Sequence, residues 1–219
     1  MTQLKIEQLS YQVDQQVILT DINLTVETGS YLTITGPSGS GKSTLLRLIA
    51  DLLPPTKGTI VLNDRPVTQF SPNQYRQKVS YCFQQATLFG ETVGDNLRFP
   101  YEIRHIPVDM VAIEKALAAV GLIHMPLTKK ITTLSGGEKQ RIALIRNVLF
   151  PPEILLLDEI TTGLDAANKA IVLAYVRHLN EDWGITMIAV THDPEELQQK
   201  GRQVQIVAGE LVNQDEFSR

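Results

Sequence analysis

Nine residues, Gly36-Pro37-Ser38-Gly39-Ser40-Gly41-Lys42-Ser43-Thr44, have the types and spacing of a phosphate cradle, G-x-x-x-x-G-K-S. Such a cradle needs backbone amides that converge on an anion. Gly36, Gly39 and Gly41 give the chain the room and the positive φ this requires. A helix starting at the end of the loop adds the partial positive charge of its N-terminus. Lys42 reaches the β- and γ-phosphates as a point charge, and the Ser43 hydroxyl ligates Mg2+. The loop needs a strand before it and a helix after it. Tyr31-Leu32-Thr33-Ile34-Thr35 alternates like a strand, and Leu45 to Ala50 has a helical pattern.

Other residues with chemical potential lie at the ends of apolar runs. Ile154-Leu155-Leu156-Leu157 leads into Asp158-Glu159, so a core parallel strand presents two acids at its C-terminal edge. Thr186 to Thr191 is a second buried strand and ends in His192. Ser135-Gly136-Gly137-Glu138 opens a helix that runs through Arg146. Each has a plain reading in isolation: a solvated turn, a structural histidine, a capped helix. Tyr11, among the first strands, can stack on a purine ring or be a half-buried strand tyrosine.

These residues are carried by an α/β framework. Leu4 to Leu9, Val17 to Leu19 and Ile22 to Val26 read as three strands of an antiparallel sheet leading into a parallel core. Pro54 to Gly58 is expected to end the phosphate-loop helix, with strands at Thr59 to Leu62 and Val79 to Phe83. From about 90 to 147 the texture turns helical, with Val111 to Val120 closing at Gly121, and this stretch is expected as an insertion in the core. Ala166 to Leu179 reads as a helix, and Gln203 to Val212 as a hairpin. At 219 residues the chain has room for a single domain, residues 1–219, with a smaller helical subdomain.

Composition excludes several classes. A net charge of −4 offers no basic field for nucleic acid. The single cysteine, Cys82, cannot form an internal disulfide and fits a reducing compartment. No apolar run approaches a membrane span, so any link to a membrane is expected through a partner.

Taken together, the motifs resemble those of an ATP-binding cassette (ABC) ATPase, the nucleotide-binding subunit of an ABC transporter. The most specific is Leu134-Ser135-Gly136-Gly137-Glu138-Lys139-Gln140-Arg141, similar to the ABC signature. The resemblance covers essentially the whole chain and implies a phosphate-loop ATPase fold. It implies ATP and Mg2+, the metal held by Ser43, Asp158 and Gln84. Glu159 is similar to the general base that polarises the attacking water, and His192 to the switch histidine at the γ-phosphate. Gln84 matches the glutamine that links metal and lytic water to the transport partner. It is preferred to the adjacent Gln85 because it directly follows a strand. Tyr11 fits the adenine-stacking aromatic, and Asp165, in Thr162-Gly163-Leu164-Asp165, the loop that passes near a partner subunit.

The signature also implies a dimer. The Ser135 hydroxyl and the amides of Gly136 and Gly137 form a second anion site for the γ-phosphate held by another cassette. With one cassette in the chain, a homodimer enclosing two ATPs is the economical expectation. A separate integral membrane permease is expected as the second partner, which puts the chain peripherally on the cytoplasmic side of a membrane. Closer resemblance is to small cassettes of the iron-export type, the Fet or Ybb-L group, on Gln84 to Leu97, Leu134 to Asn147 and Leu155 to Thr161. Transport of a non-metal solute is the alternative. A soluble ABC ATPase of translation or DNA repair is another, disfavoured because such chains carry paired cassettes or a long coiled coil. A non-catalytic module would be expected to lack Glu159 or His192.

Overall fold

Two twelve-residue strands, β1 (Thr2–Val13) and β2 (Gln16–Glu27), form an antiparallel hairpin at the start of the chain. The computed structural model describes residues 1–197 and 201–213. The two short strands expected at 17–19 and 22–26 are one continuous strand. Thr20-Asp21 is a bulge: Asp21 takes φ 48° and its N–H donates to Ser10 Oγ at 3.0 Å. The ladder slips there, between Leu9↔Ile22 and Tyr11↔Leu19, and then continues. Ile22, Leu24 and Val26 alternate inward with period two. β4 (Lys57–Leu62) joins the other edge of β1, and the short β5 (Arg65–Pro66) follows, giving the order β2-β1-β4-β5.

The second sheet starts with β3 (Tyr31–Thr35) and has the order β10-β9-β3-β8-β7-β6. β7 (Ile154–Asp158) and β8 (Thr186–Val190) are buried along their whole length, as strands covered on both faces must be. β8 and β9 (Arg202–Val207) flank β3 in parallel, and β7 runs parallel beyond β8. β6 (Val79–Cys82) and β10 (Glu210–Asn213) lie at the edges, and β10 closes an antiparallel hairpin through Ala208-Gly209, both at positive φ.

Helix α1 (Lys42–Ile49) packs Leu45, Leu46 and Ile49 against β2, β7 and β8. Those side chains join Leu4, Ile6, Leu24, Ile34 and Ile188 in one core; each Leu or Ile so buried contributes roughly 1.5–3 kcal/mol. α1 ends earlier than expected. Its C-cap is Ala50, and Asp51 at φ 53° turns the chain away before Pro54. Helical period alone does not announce α2 (Pro72–Lys78), seven residues started by Ser71 and Gln74 in a capping box with proline at the first position.

By its internal contacts the chain divides into two compact units. Among the described residues, the first comprises 1–81, 153–159, 180–197 and 201–213 and holds the strands of both sheets except Cys82 at the end of β6; the second comprises 82–152 and 160–179. In the second, α3 (Val93–Glu102), α4 (Met110–Ala119) and α5 (Gly136–Val148) begin on the capping residues Thr92, Asp109 and Ser135. α5 packs against α3 and α4. Arg146 on α5 donates to Thr87 O and Asn96 Oδ1 at 3.0 and 2.9 Å, tying the segment after Gln84 to this helix. Pro100 sits inside α3 near its end. α6 (Ala166–Glu181) starts in the same unit.

Candidate functional site

The loop from Gly36 to Gly41 joins the C-terminal end of β3 to α1. Gly36 has φ 132°, and a β-carbon there would lie 2.0 Å from the Ile206 carbonyl oxygen, so only glycine lets the loop leave the sheet along this path. α1 begins on Gly41, which offers no side-chain cap, whereas α2, α3 and α5 all start with capping boxes. The first amides of α1 are therefore left for an outside acceptor. Ser40 is 6% exposed, and its Oγ has no hydrogen-bond partner among the described residues. An unmatched buried hydroxyl inside a glycine loop fits an absent phosphate oxygen.

Lys42 is 5% exposed and donates to the carbonyls of Gly36 and Pro37, both at 2.8 Å. The ammonium thus spans its own loop. Burial draws its pKa below the usual lysine value, while Glu159 and Asp158 act in the opposite direction. Ser43 Oγ donates to Asp158 Oδ1 at 2.8 Å, and the hydroxyl of Tyr81 donates to Asp158 Oδ2 at 2.5 Å. Burial and the Asp158 carboxylate hold the Tyr81 phenol well above its ordinary pKa, so it stays a donor.

Glu159 follows β7 with φ 49°, a left-handed conformation that costs a side-chain-bearing residue about 1–3 kcal/mol. Its N–H donates to Val190 O at 2.9 Å, which fixes the turn against β8. The Glu159 side chain is half-buried. His192, exposed at the end of β8, brings Nε2 to 3.4 Å from Glu159 Oε1. One carboxylate is thus buried and bonded to hydroxyls, and its neighbour faces a histidine at the surface. Different environments for adjacent acids are what separate tasks require.

The signature residues lie in the second unit. Ser135 Oγ accepts from Glu138 N at 3.2 Å, and Glu138 Oε2 accepts from Ser135 N at 2.7 Å. This capping box leaves the Ser135 hydroxyl proton free to point outward, beside the exposed Gly136. Glu138 is held by the helix start and by Lys129, which donates to Oε1 at 2.9 Å. Asp165 caps α6: Oδ1 accepts from Asn168 N at 2.9 Å and Oδ2 from Asn168 Nδ2 at 2.5 Å. The same Asn168 carboxamide lies over Gly137, where a β-carbon would meet it at 2.7 Å.

The structure therefore groups Gly36 to Thr44, Asp158, Glu159 and His192 in the first unit, and Gln84, Ser135 to Glu138 and Asp165 in the second. Gln84 and Gln85 are both exposed. Tyr11 is half-buried on β1, opposite Leu19. Tyr81, Lys129 and Asn168 were not anticipated. Tyr81 left one signal, a strand tyrosine whose hydroxyl needs a partner when buried. Lys129 and Asn168 left none, because both act through contacts made only in the fold.

A family model described as ABC transporter matches residues 19–162, from β2 through the phosphate loop and signature to just past the two acids at the end of β7. The chain belongs to the ABC transporter family. It is similar to the probable iron export ATP-binding protein FetA of Escherichia coli K12, with 45% identity over 89% of this chain and 86% of that one. It is also 37% identical to the energy-coupling factor transporter ATP-binding protein EcfA1 of Levilactobacillus brevis, over 96% of this chain and 77% of that one. Among solved structures, the dimeric post-hydrolysis state of the cassette MJ0796, bound to ADP and Pi, matches with TM-score 0.83 and 28% identity, covering 95% of this chain and 96% of that one. This ABC ATPase binds and hydrolyses ATP as the nucleotide-binding subunit of a transporter. Among the described residues no helix is long and apolar enough to cross a membrane.

Proposed function

We propose that two copies of this ABC ATPase close on two ATP molecules and use the cycle to drive a separate membrane permease, from the cytoplasmic face of the membrane. The observation that carries this reading is the pairing of Ser43 and Asp158 beside Glu159 and His192. Lys42 releases the Gly36 and Pro37 carbonyls and turns to the β- and γ-phosphates, and the orphaned Ser40 hydroxyl finds a phosphate oxygen. Tyr11 stacks on the adenine.

Mg2+ fits this site. Among the described residues no group of three or more His, Cys, Asp or Glu could hold a metal. Mg2+ needs no such cage, since it takes one or two protein oxygens and completes its shell with phosphates and water. Ser43 and Asp158 would hold it, and Gln84 is the further ligand that the family resemblance suggests; the metal would supply positive charge to the phosphates. Glu159 takes a proton from the attacking water, and His192 orients Glu159 and contacts the γ-phosphate. Ser135, Gly136 and Gly137 of one copy supply anion-binding donors to the ATP held by the other, and Asp165 passes near that copy.

For the cargo, likeness to FetA favours iron, moved outward. The cassette residues touch nucleotide and not solute, so cargo follows from the permease. The test is co-purification of the native permease and reconstitution in vesicles with Fe2+ inside and out. ATP-dependent iron movement is the expected result. Movement of another solute would retire iron and leave the ATPase intact, and a chain that stays monomeric with ATP when Glu159 is replaced by Gln would overturn the dimer.

A further inference from the structure

Each carboxylate oxygen of Asp158 has its own donor: Oδ1 takes the Ser43 hydroxyl at 2.8 Å and Oδ2 the Tyr81 hydroxyl at 2.5 Å. Asp158 is 4% exposed and Tyr81 8%, so water competes little for either oxygen. Tyr81 belongs to the buried apolar core. Arg47, on α1 five residues after Lys42, sets its positive charge near the same phenol. A cation on the oxygen side polarises a hydroxyl whose proton is committed to Asp158 into a better donor.

Resting on the reading that Asp158 holds the divalent cation, we infer that Tyr81 is a positioning residue for the metal. Its hydroxyl pins Oδ2, and the carboxylate is thereby turned so that Oδ1 faces Ser43 and the phosphate loop. Without that bond Asp158 rotates about its side-chain torsions, and its free oxygen must be oriented each time a metal binds. Arg47 brings its charge to the phenol from the loop's own helix, so residues of β6, β7 and α1 act together on Asp158. Loss of such an outer hydrogen bond typically weakens metal binding by about 10–100-fold.

The test uses the full chain with ADP present and Mn2+ as the probe, free Mn2+ being read by electron paramagnetic resonance. Tyr81→Phe keeps the core ring and removes only the hydroxyl. The expected result is a Mn2+ dissociation constant raised roughly tenfold, with ADP affinity in EDTA within about twofold of the parent. Arg47→Gln, on an exposed side chain, should shift Mn2+ binding in the same direction by less, and add nothing to Tyr81→Phe. A variant that merely loosened the core would melt earlier yet leave Mn2+ affinity of the folded protein unchanged, and that result overturns the role. Should Tyr81→Phe not fold, an unchanged Mn2+ constant in Arg47→Gln overturns it instead. Asp158→Asn is the reference: if it binds Mn2+ normally, the metal reading of Asp158 falls and Tyr81 with it, whereas weakened binding there beside normal binding in Tyr81→Phe defeats Tyr81 alone.

Discussion

Nε2 of His192 stands 3.4 Å from Oε1 of Glu159, across the ends of two adjacent parallel strands. Register puts them there: Asp158 pairs with Val190, and the Glu159 N–H donates to the Val190 carbonyl. The acid and the histidine are thus one device, and a change in either is felt by both. Glu159→Gln should bind ATP, hydrolyse it about 10²–10⁴-fold more slowly and accumulate a closed dimer, read by phosphate release and light scattering. Adding His192→Ala to Glu159→Gln should cost much less than His192→Ala costs alone. Near-parental turnover in Glu159→Gln would remove Glu159 from the base role.

Lys42 has two tasks, and one substitution removes both. Its ammonium bridges the Gly36 and Pro37 carbonyls, so Lys42→Ala removes both a phosphate donor and the loop's internal tie. Nucleotide affinity should fall at least about tenfold, the loss of one charge-assisted contact, measured by titration with a fluorescent ADP. Unchanged affinity would contradict the assignment of the loop.

The two signature glycines should respond oppositely to an added methyl. Gly136 has nothing within 4 Å of a built β-carbon, while at Gly137 the Asn168 carboxamide stands at 2.7 Å, pinned by Asp165. Gly136→Ala should raise stability by roughly 0.5–1 kcal/mol, as alanine does in a helix. Gly137→Ala should lower it by about 1–3 kcal/mol through overpacking, and Asn168→Ala should relieve that cost in the double variant. Denaturant melts check both, and equal effects at the two positions would refute the close approach.

Acid should weaken the signature helix through Glu138. Lys129, then the Ser135 amide, hold this carboxyl below its ordinary 4.5. A depressed folded value means the contribution is complete above that ordinary value and is lost as pH falls through the lower folded one. Glu138→Gln keeps an acceptor for Ser135 N but has no charge to lose. Its stability relative to the parent should therefore improve as pH drops below about 4.5, seen in melts taken from pH 6 to pH 3. A constant difference across that range would place the depression elsewhere.

Local signals were enough for much of the fold. The alternation in β3, the apolar runs of β7 and β8, the capping box at Ser135 and the closing Gly121 are properties of a few neighbouring residues, and these elements form where expected. The failures share a cause. Thr20-Asp21 looks like a turn because its residues favour one, but pairing to β1 on one strand edge continues the ladder through the bulge. α1 stops at Ile49 because Asp51 adopts the left-handed turn, a choice its neighbours in sequence do not announce.

From residue order alone came the phosphate loop, the two acids, the histidine and the signature, since each is a short pattern whose chemistry needs particular types at fixed spacing. Tertiary structure alone decided which of them touch. Ser43 and Asp158 are 115 positions apart, and Tyr81 meets Asp158 across 77. Such contacts exist because parallel strands lay distant segments side by side, and the pairing is set by burial and hydrogen-bond register summed over the whole sheet, a quantity that no local stretch contains.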